Sequence, residues 1–400
     1  MKYVIFLGDG MADLPCPELG GKTPLQAANK PMMDQIASEG MLGMVQTVPE
    51  GMKPGSDVAN LSVMGFDPKH CYTGRSPLEA ASIGVTMEEG DVSFRCNLVT
   101  LSEDQPYGEK TMLDYSADEI STQEARQLIE AVQQAFGTNE LSFFGGISYR
   151  HLLLWHGVTF DFSLTPPHDI SGKKIQNYLP NHPILLNLME KSCSILREHP
   201  VNIARRSAGK HPANAIWIWG QGTKPQLDSF IELYGKKATV ISAVDLIKGI
   251  AKCAGMESID VPGATGTVNT NFEGKAQAAI DALARGQELV YLHMEAADES
   301  GHRFETDNKV KSIELIDQKV IRPVWEYLKE SGEDYKMMVL PDHPTPLSLG
   351  THTSDPVPFA VFDSRNRQCR QGVRYTEEQG EKSGFLVKPG YHLMSRFLED

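Results

Sequence analysis

Long hydrophobic runs are absent from the sequence, since no segment approaches the roughly 18 consecutive apolar residues of a membrane span. The apolar run at residues 3–7 is too short for the core of a signal peptide and leads directly into Gly8-Asp9-Gly10. Cysteine is sparse as well: the six cysteines are scattered, and no two form a CxxC pair. These absences predict a cytoplasmic protein with reduced thiols and no membrane span.

Basic residues are also fewer than acidic residues. The chain has 38 Lys and Arg residues against 52 Asp and Glu residues, which gives a formal net charge of −14. This balance argues against nucleic acid or an anionic membrane surface as a general partner. It does not exclude an anionic substrate, because bound divalent cations dominate the field of a site. No phosphate-binding loop of the form GxxxxGK[ST] is present.

The domain organisation follows from length and from the order of the predicted elements. A chain of 400 residues with 40% hydrophobic and 22% charged residues has room for two or three globular domains of about 100–200 residues each. Strands and helices alternate at both ends of the chain, which predicts an α/β fold. Between them, several short strands and one amphipathic helix predict an inserted α+β domain at 86–181. The core domain would then comprise residues 1–85 and 182–400.

Three predicted strands, at 3–7, 288–294 and 337–341, are each followed by an aspartate. In open α/β sheets the strand ends face the ligand crevice. Three histidines accompany the aspartates, and such a set suffices for two divalent ions about 3.5–4 Å apart. Mixed nitrogen and oxygen ligands suit Mn²⁺ or Zn²⁺, with Mg²⁺ also compatible. The residues are Asp9, Asp298, Asp342, His302, His343 and His352.

Each local pattern also has an ordinary structural interpretation. Asp342 could cap the next segment, with His343 solvated beside it. Asp298 and His302 share one face of a helical turn, and they could be a hydrogen-bonded pair rather than two ligands of one metal. Ser56 follows a Gly/Pro-rich turn at a predicted helix start, where it could be a nucleophile or a helix N-cap.

The motifs, taken together and in order, resemble those of the alkaline phosphatase superfamily. They are Asp9-Gly10, Gly55-Ser56-Asp57-Val58-Ala59, Asp298-x-x-x-His302, Asp342-His343 and the later His352. Within that superfamily the chain resembles the cofactor-independent phosphoglycerate mutases of the archaeal type, including the stretches YTGRSPLEA at 72–80 and WIWGQG at 217–222. The resemblance spans nearly the whole chain. It implies a three-layer α/β/α core with a mainly parallel sheet and a smaller inserted domain.

The resemblance also implies an activity and roles for individual residues. The activity would be interconversion of 3-phosphoglycerate and 2-phosphoglycerate, with Ser56 as the nucleophile that becomes phosphorylated and with no bisphosphoglycerate cofactor. Two divalent ions, Mn²⁺ for preference, would be bound. One would be held by Asp9, Asp342, His343 and the Ser56 oxygen, and the other by Asp298, His302 and His352.

The small phosphorylated hydroxy-acid substrate should be bound by cationic groups, and the domain at 86–181 would close over it to exclude water. The candidates for binding substrate carboxylate and phosphate, or for proton transfer, are Arg75, Arg95, Arg150, His151, Arg205 and Lys275. A homoserine kinase-like phosphotransferase, or a phosphatase or phosphodiesterase, on the same two-metal scaffold is an open alternative. A non-enzymatic binding module should lack some of the seven metal-site residues, all of which are present.

Overall fold

A computed structural model describes residues 1–103, 106–159 and 164–399. It divides the chain into two compact units. The first unit comprises Met1–Tyr72 and Gln226–Asp400, and the second comprises Thr73–Pro225. The strands, in chain order, are β1 (Lys2–Gly8), β2 (Met41–Val45), β3 (Val92–Leu101), β4 (Met112–Asp114), β5 (Leu141–Phe144), β6 (Arg150–Trp155), β7 (Ala215–Thr223), β8 (Ala238–Ile241), β9 (Glu257–Ile259), β10 (Leu289–Met294), β11 (Tyr335–Leu340), β12 (Val357–Asp363) and β13 (Leu386–Val387).

The α-helices are distributed between the strands of both units. Among the described residues, no helix has the length and apolar character needed to cross a membrane. In chain order the helices are α1 (Pro24–Ala27), α2 (Pro31–Glu39), α3 (Ser56–Val63), α4 (Pro68–Cys71), α5 (Ser76–Ser82), α6 (Thr122–Phe136), α7 (Pro183–Arg197), α8 (Pro200–Ser207), α9 (Phe230–Tyr234), α10 (Asp245–Cys253), α11 (Phe272–Ala284), α12 (Ala296–His302), α13 (Thr306–Ile316), α14 (Arg322–Ser331), α15 (Glu377–Lys382) and α16 (His392–Leu398).

The first unit is built on an eight-stranded sheet. Its strand order is β13-β2-β12-β11-β1-β10-β8-β9. Only the β11–β12 and β12–β2 pairs are antiparallel, so the sheet is mainly parallel. The central strand β1 runs parallel to β10 on one side and to β11 on the other, with Gly8 opposite Met294 and Leu7 opposite Leu340. The carboxyl ends of β1, β10 and β11 therefore lie side by side at one end of the sheet, although they are far apart in sequence.

Side chains alternate between two covered faces of this sheet. Val4 and Phe6 belong to a buried apolar cluster with residues of α2, α11, α13 and α14. Tyr3, on the opposite face, packs its ring edge-on against Phe397 of α16, at 5.7 Å between centroids. Because both faces are covered, β1 is buried over its whole length and consists almost entirely of apolar residues. The expected α/β class with helices on both sides of a mainly parallel sheet is confirmed.

The second unit has an all-antiparallel five-stranded sheet. The strand order is β4-β3-β6-β5, with β7 also paired to β3. The unit extends beyond both ends of the insertion expected at 86–181. At the N-terminal end, the Ser76 hydroxyl of α5 donates to the Ser93 carbonyl of β3 at 2.9 Å. At the C-terminal end, β7 pairs with β3 from Val92 to Val99 and brings residues up to Pro225 into the unit. Residues 183–207, expected in the core domain at 182–400, form α7 and α8 and precede β7 within this unit. Arg205, one of the cationic candidates, lies in the last turn of α8.

Candidate metal centre

Asp9 is the first residue after β1, and its carboxylate is buried at the edge of the sheet. One oxygen, Oδ2, accepts hydrogen bonds from Ser56 Oγ at 3.3 Å and from His293 Nε2 at 3.1 Å. The other oxygen, Oδ1, is buried and accepts no hydrogen bond within the described chain. Burial, followed by the charges of Asp342 and Asp298, raises the pKa of Asp9 well above its usual value. A buried carboxylate oxygen that has no hydrogen-bond donor, such as Oδ1 of Asp9, is a favourable position for a cation.

Asp342 and His343 follow β11 and face Asp9 across the same edge of the sheet. Asp342 Oδ1 accepts hydrogen bonds from the backbone N–H groups of Gly10, at 3.1 Å, and His343, at 2.8 Å. His343 Nε2 lies 3.4 Å from Asp342 Oδ2 and 3.6 Å from Asp9 Oδ1. Ligand atoms of Asp9, Asp342 and His343 all lie within 4.8 Å of one another, which brings three buried groups together as one candidate cation site.

Ser56 is the first residue of α3, and the N-cap is Gly55. No side-chain capping hydrogen bond is made there, so the N-cap interpretation of Ser56 is wrong. Instead the Ser56 Oγ lies 3.1 Å from His343 Nε2, in addition to its contact with Asp9. The hydroxyl thus points at the candidate cation site, from the N-terminal end of a helix, where a negative charge on its oxygen is favoured.

A second group of side chains surrounds Asp298 in α12. The i,i+4 spacing places His302 Nε2 3.3 Å from Asp298 Oδ2, and His352 Nε2 lies 3.3 Å from Asp298 Oδ1. The two histidine nitrogens are themselves 2.8 Å apart. Burial alone would raise the pKa of Asp298, but hydrogen bonds to His302 and His352 hold it well below its usual value. His302 Nδ1 is 2.9 Å from the carbonyl oxygen of Gly350, so it is the donor there and Nε2 faces the group.

The donor chemistry of both groups fits divalent ions. Three aspartates converge, and no Lys or Arg side chain among the described residues hydrogen-bonds to any of them. His343 belongs to both groups, because a ring nitrogen of His343 also lies within 4.8 Å of ligand atoms of Asp298 and His352. Carboxylate and imidazole ligands in two adjacent groups are the pattern of a two-metal site. The structure therefore brings together all seven residues expected to bind metal, and their role as ligands stays a prediction.

Comparisons with known proteins agree with this geometry. A sequence profile of the 2,3-bisphosphoglycerate-independent phosphoglycerate mutase family matches residues 37–202. The enzyme of that name from Methanosarcina barkeri is 49% identical over 393 residues, 97% of each chain, and that from Methanothrix thermoacetophila is 50% identical over 367 residues, 91% of each. The solved cofactor-independent phosphoglycerate mutase from Thermoplasma acidophilum shares a TM-score of 0.68 and 25% identity, covering 100% of this chain and 99% of that one. The chain belongs to this family.

Membership of the mutase family confirms the resemblance found in the motifs. Two polar residues of the candidate metal centre, however, were not predicted from the sequence. His293 lies within β10 and contacts Asp9, while its Nδ1 is 3.2 Å from the Ser242 hydroxyl. Asn60, one helical turn after Ser56, donates to Asp342 Oδ2 at 2.9 Å and to the Ser56 carbonyl at 2.8 Å. Their sequence signal is a polar side chain inside an otherwise apolar strand or helix face, since such a group needs a buried partner.

Three of the arginines expected to bind substrate are near one another in the second unit. Arg75 Nε lies 2.9 Å from Glu79 Oε1, and Arg95 Nε lies 3.0 Å from Glu79 Oε2. Burial lowers the pKa of Arg95; Glu79 opposes this change, and the nearby charges of Arg75 and Arg150 add to it. The guanidinium of Arg95 also stacks on the Trp219 ring at 4.2 Å. The three guanidinium groups outnumber the Glu79 carboxylate, and their part in substrate binding stays a prediction.

The other three candidates are buried and have structural partners. Arg205 donates to the carbonyls of Ala117 and His211, at 2.6 and 2.9 Å, and pairs with Glu124. Burial lowers the pKa of His151 to about 3, so this ring is neutral at pH 7. Lys275 belongs to the first unit, where its Nζ donates to the His293 carbonyl at 3.0 Å. These contacts account for the burial of Arg205 and Lys275, whose part in substrate binding stays a prediction.

Proposed function

We propose that the protein interconverts 3-phosphoglycerate and 2-phosphoglycerate through a phosphoserine at Ser56. The observation that carries the proposal is the position of the Ser56 hydroxyl, 3.3 Å from Asp9 Oδ2 and 3.1 Å from His343 Nε2, at the start of α3. Sequence relationship with the mutases over nearly the whole chain supports the same reaction. The family name of those relatives supports a reaction without bisphosphoglycerate.

In the first half-reaction, Ser56 Oγ attacks the phosphorus of 3-phosphoglycerate. The bond between phosphorus and the C3 oxygen breaks, and the departing glycerate oxygen takes up a proton while the serine loses one. In the second half-reaction, the C2 hydroxyl of the same glycerate attacks the phosphorus of the phosphoserine. The bond between phosphorus and Ser56 Oγ breaks, the C2 oxygen loses its proton, and the serine oxygen takes one up. No external phosphoryl donor or acceptor is consumed, so substrate and product balance.

Two divalent ions are part of the proposal, with Mn²⁺ as the first choice and Zn²⁺ or Mg²⁺ as alternatives. Asp9, Asp342, His343 and the Ser56 oxygen would hold one ion, and Asp298, His302 and His352 would hold the other. Bound there, the ions would favour ionisation of the serine hydroxyl and would neutralise charge on the transferring phosphoryl group. Asn60 keeps Asp342 and the Ser56 backbone in fixed relation, since its amide donates to both.

A mutase must also keep glycerate bound and water away between the two half-reactions. We propose that Arg75, Arg95 and Arg150 bind the carboxylate and phosphate groups of the substrate, because these cations exceed the charge of Glu79. Exclusion of water by residues 86–181 is part of the same proposal. A cytoplasmic location, where glycolysis runs, is proposed with it.

The deciding experiment is a substrate panel with Mn²⁺. The protein is incubated with 3-phosphoglycerate alone, and separately with homoserine and ATP, and products are identified by ³¹P NMR. We expect 2-phosphoglycerate from the first incubation and no phosphohomoserine from the second. Phosphohomoserine without 2-phosphoglycerate would replace the mutase by a kinase-like transferase. Inorganic phosphate as the sole product of the first incubation would replace it by a phosphatase.

A further inference from the structure

Thr345 is a buried residue between the two groups of proposed metal ligands and belongs to neither. Its hydroxyl oxygen is hydrogen-bonded to Asp298 Oδ1, in the second group. The same oxygen lies 3.3 Å from Nδ1 of His343, in the first group. One hydroxyl therefore contacts one ligand of each proposed ion.

The direction of these two hydrogen bonds follows from the number of hydrogens. An ionised carboxylate can only accept, so the single hydroxyl hydrogen of Thr345 is donated to Asp298. The contact with His343 then has Nδ1–H as donor and the threonine oxygen as acceptor, and the Pro344 carbonyl is a further acceptor for that ring. A neutral His343 with its proton on Nδ1 has a lone pair on Nε2. That lone pair would either ligate the proposed ion or accept from the Ser56 hydroxyl at 3.1 Å, in place of the Ser56 contact with Asp9.

The backbone of Thr345 is held in place from both sides. Its N–H donates to the Ala12 carbonyl at 3.2 Å, and its carbonyl accepts from Lys309 Nζ at 2.7 Å. The buried Lys309 is itself paired with Asp13 at 2.7 Å. Space is tight as well, since a Cβ on Gly10 would lie 2.7 Å from the Thr345 hydroxyl oxygen. The hydroxyl therefore has little freedom to choose other partners.

We infer that Thr345 is a positioning residue that couples the two proposed metal sites, orienting Asp298 for one ion and holding His343 in the tautomer that ligates the other through Nε2. The inference rests on the proposed ligands, and a hydrogen bond to a metal ligand typically contributes 10- to 100-fold to metal affinity. Loss of the hydroxyl should therefore weaken both sites, whereas loss of the threonine methyl should not.

The test compares T345V, which keeps the shape and loses the hydroxyl, with T345S, which keeps the hydroxyl and loses the methyl. Each Mn²⁺-loaded protein is challenged with EDTA, and the retained Mn²⁺ is followed by electron paramagnetic resonance. We expect T345V to bind Mn²⁺ about 10- to 100-fold more weakly, with T345S close to wild type. The opposite ranking, or equal affinities, would overturn the inference, because a packing role depends on the methyl. If T345V does not fold, T345A against T345S gives the same contrast.

A second readout concerns the proton on His343. In ¹⁵N-histidine-labelled, Zn²⁺-loaded wild type and T345S, we expect that proton on Nδ1; a proton on Nε2 would overturn the inference. Neither readout uses turnover. If the wild type lacks mutase activity but T345V still binds Mn²⁺ more weakly than the wild type, the proposed function is refuted and this inference is supported. If the wild type is an active mutase and T345V binds Mn²⁺ as the wild type does, only this inference is refuted.

Discussion

The Nε2 atom of His293 lies 3.1 Å from Oδ2 of Asp9, and both side chains are buried. Because the Asp9 carboxylate can only accept when ionised, Nε2 carries the hydrogen and Nδ1 accepts from the Ser242 hydroxyl. The Ser242 oxygen in turn accepts from the Val244 N–H at 3.0 Å. This chain of hydrogen bonds occupies Oδ2 and directs Oδ1 of Asp9 towards His343.

Replacing His293 should weaken metal binding although the residue is not a proposed ligand. H293L removes the donor to Asp9, and we expect Mn²⁺ affinity to fall about 10- to 100-fold, measured from the Mn²⁺ dependence of the mutase rate. H293Q retains an amide donor of similar reach and should restore part of the affinity. Wild-type Mn²⁺ dependence in H293L would show that Asp9 needs no such support.

Replacing Ser56 should abolish turnover. S56A removes the proposed nucleophile, and we expect kcat to fall by on the order of 10⁴-fold or more, with no labelled phosphoprotein after incubation with ³²P-phosphoglycerate and acid quenching. Ser62 offers a matched control in the same helix, because it is buried and its hydroxyl has no hydrogen-bond partner in the described chain. S62A should keep both activity and label, and full activity in S56A would rule Ser56 out as nucleophile.

Arg75 and Arg205 were both predicted from the sequence to bind substrate, but their replacement should have different effects on KM and on the melting temperature. Arg75 is exposed, and we expect R75M to raise the KM for 3-phosphoglycerate about 10- to 100-fold through loss of a charge-assisted hydrogen bond, with little change in the melting temperature. Arg205 is buried among two carbonyls and Glu124, so R205M should lower the melting temperature by leaving these groups unpaired. Steady-state kinetics and thermal unfolding of both variants separate the effects; a higher KM in R205M with unchanged melting would reverse the assignment.

His151 should make the second unit sensitive to acid. Its pKa is lowered to about 3 by burial, and its Nδ1 accepts from the Gly146 N–H at 3.1 Å. Because the pKa of His151 is lower in the folded state, burial of the neutral ring stabilises the folded unit fully above the unfolded pKa of about 6.5. This stabilisation is lost as the pH falls towards 3. The loss is at most about 5 kcal/mol in the free energy of unfolding, from about 1.4 kcal/mol per pKa unit.

This acid sensitivity can be measured by urea unfolding between pH 4 and 7, followed by tryptophan fluorescence. Three of the four tryptophans, Trp155, Trp217 and Trp219, belong to the second unit. H151N can still accept from Gly146 but does not titrate, so its stability should fall less steeply with acid than that of wild type. If the free energy of unfolding falls equally steeply with decreasing pH in wild type and H151N, the pKa of His151 is not depressed in the folded state.

Much of the site was predictable because its residues end buried strands. The apolar runs before Asp9 and Asp342 identify those positions without tertiary information, as does the i,i+4 spacing of Asp298 and His302. The edges of the second unit were harder to predict, because β7 joins β3 across more than 100 residues of sequence. Local patterns define strands, but they do not state which strands pair.

The sequence by itself determined the ligand types, their order and the family resemblance, since these depend on residue identity and spacing alone. Only the tertiary structure decided that Ser56 points at Asp9 and His343 and does not cap its helix, and that His293 and Thr345 belong to the site. The reason is geometric: parallel pairing of β1 with β10 and β11 places residues about 290 and 330 positions apart at one edge. Contacts of that range carry no periodic signal in the chain.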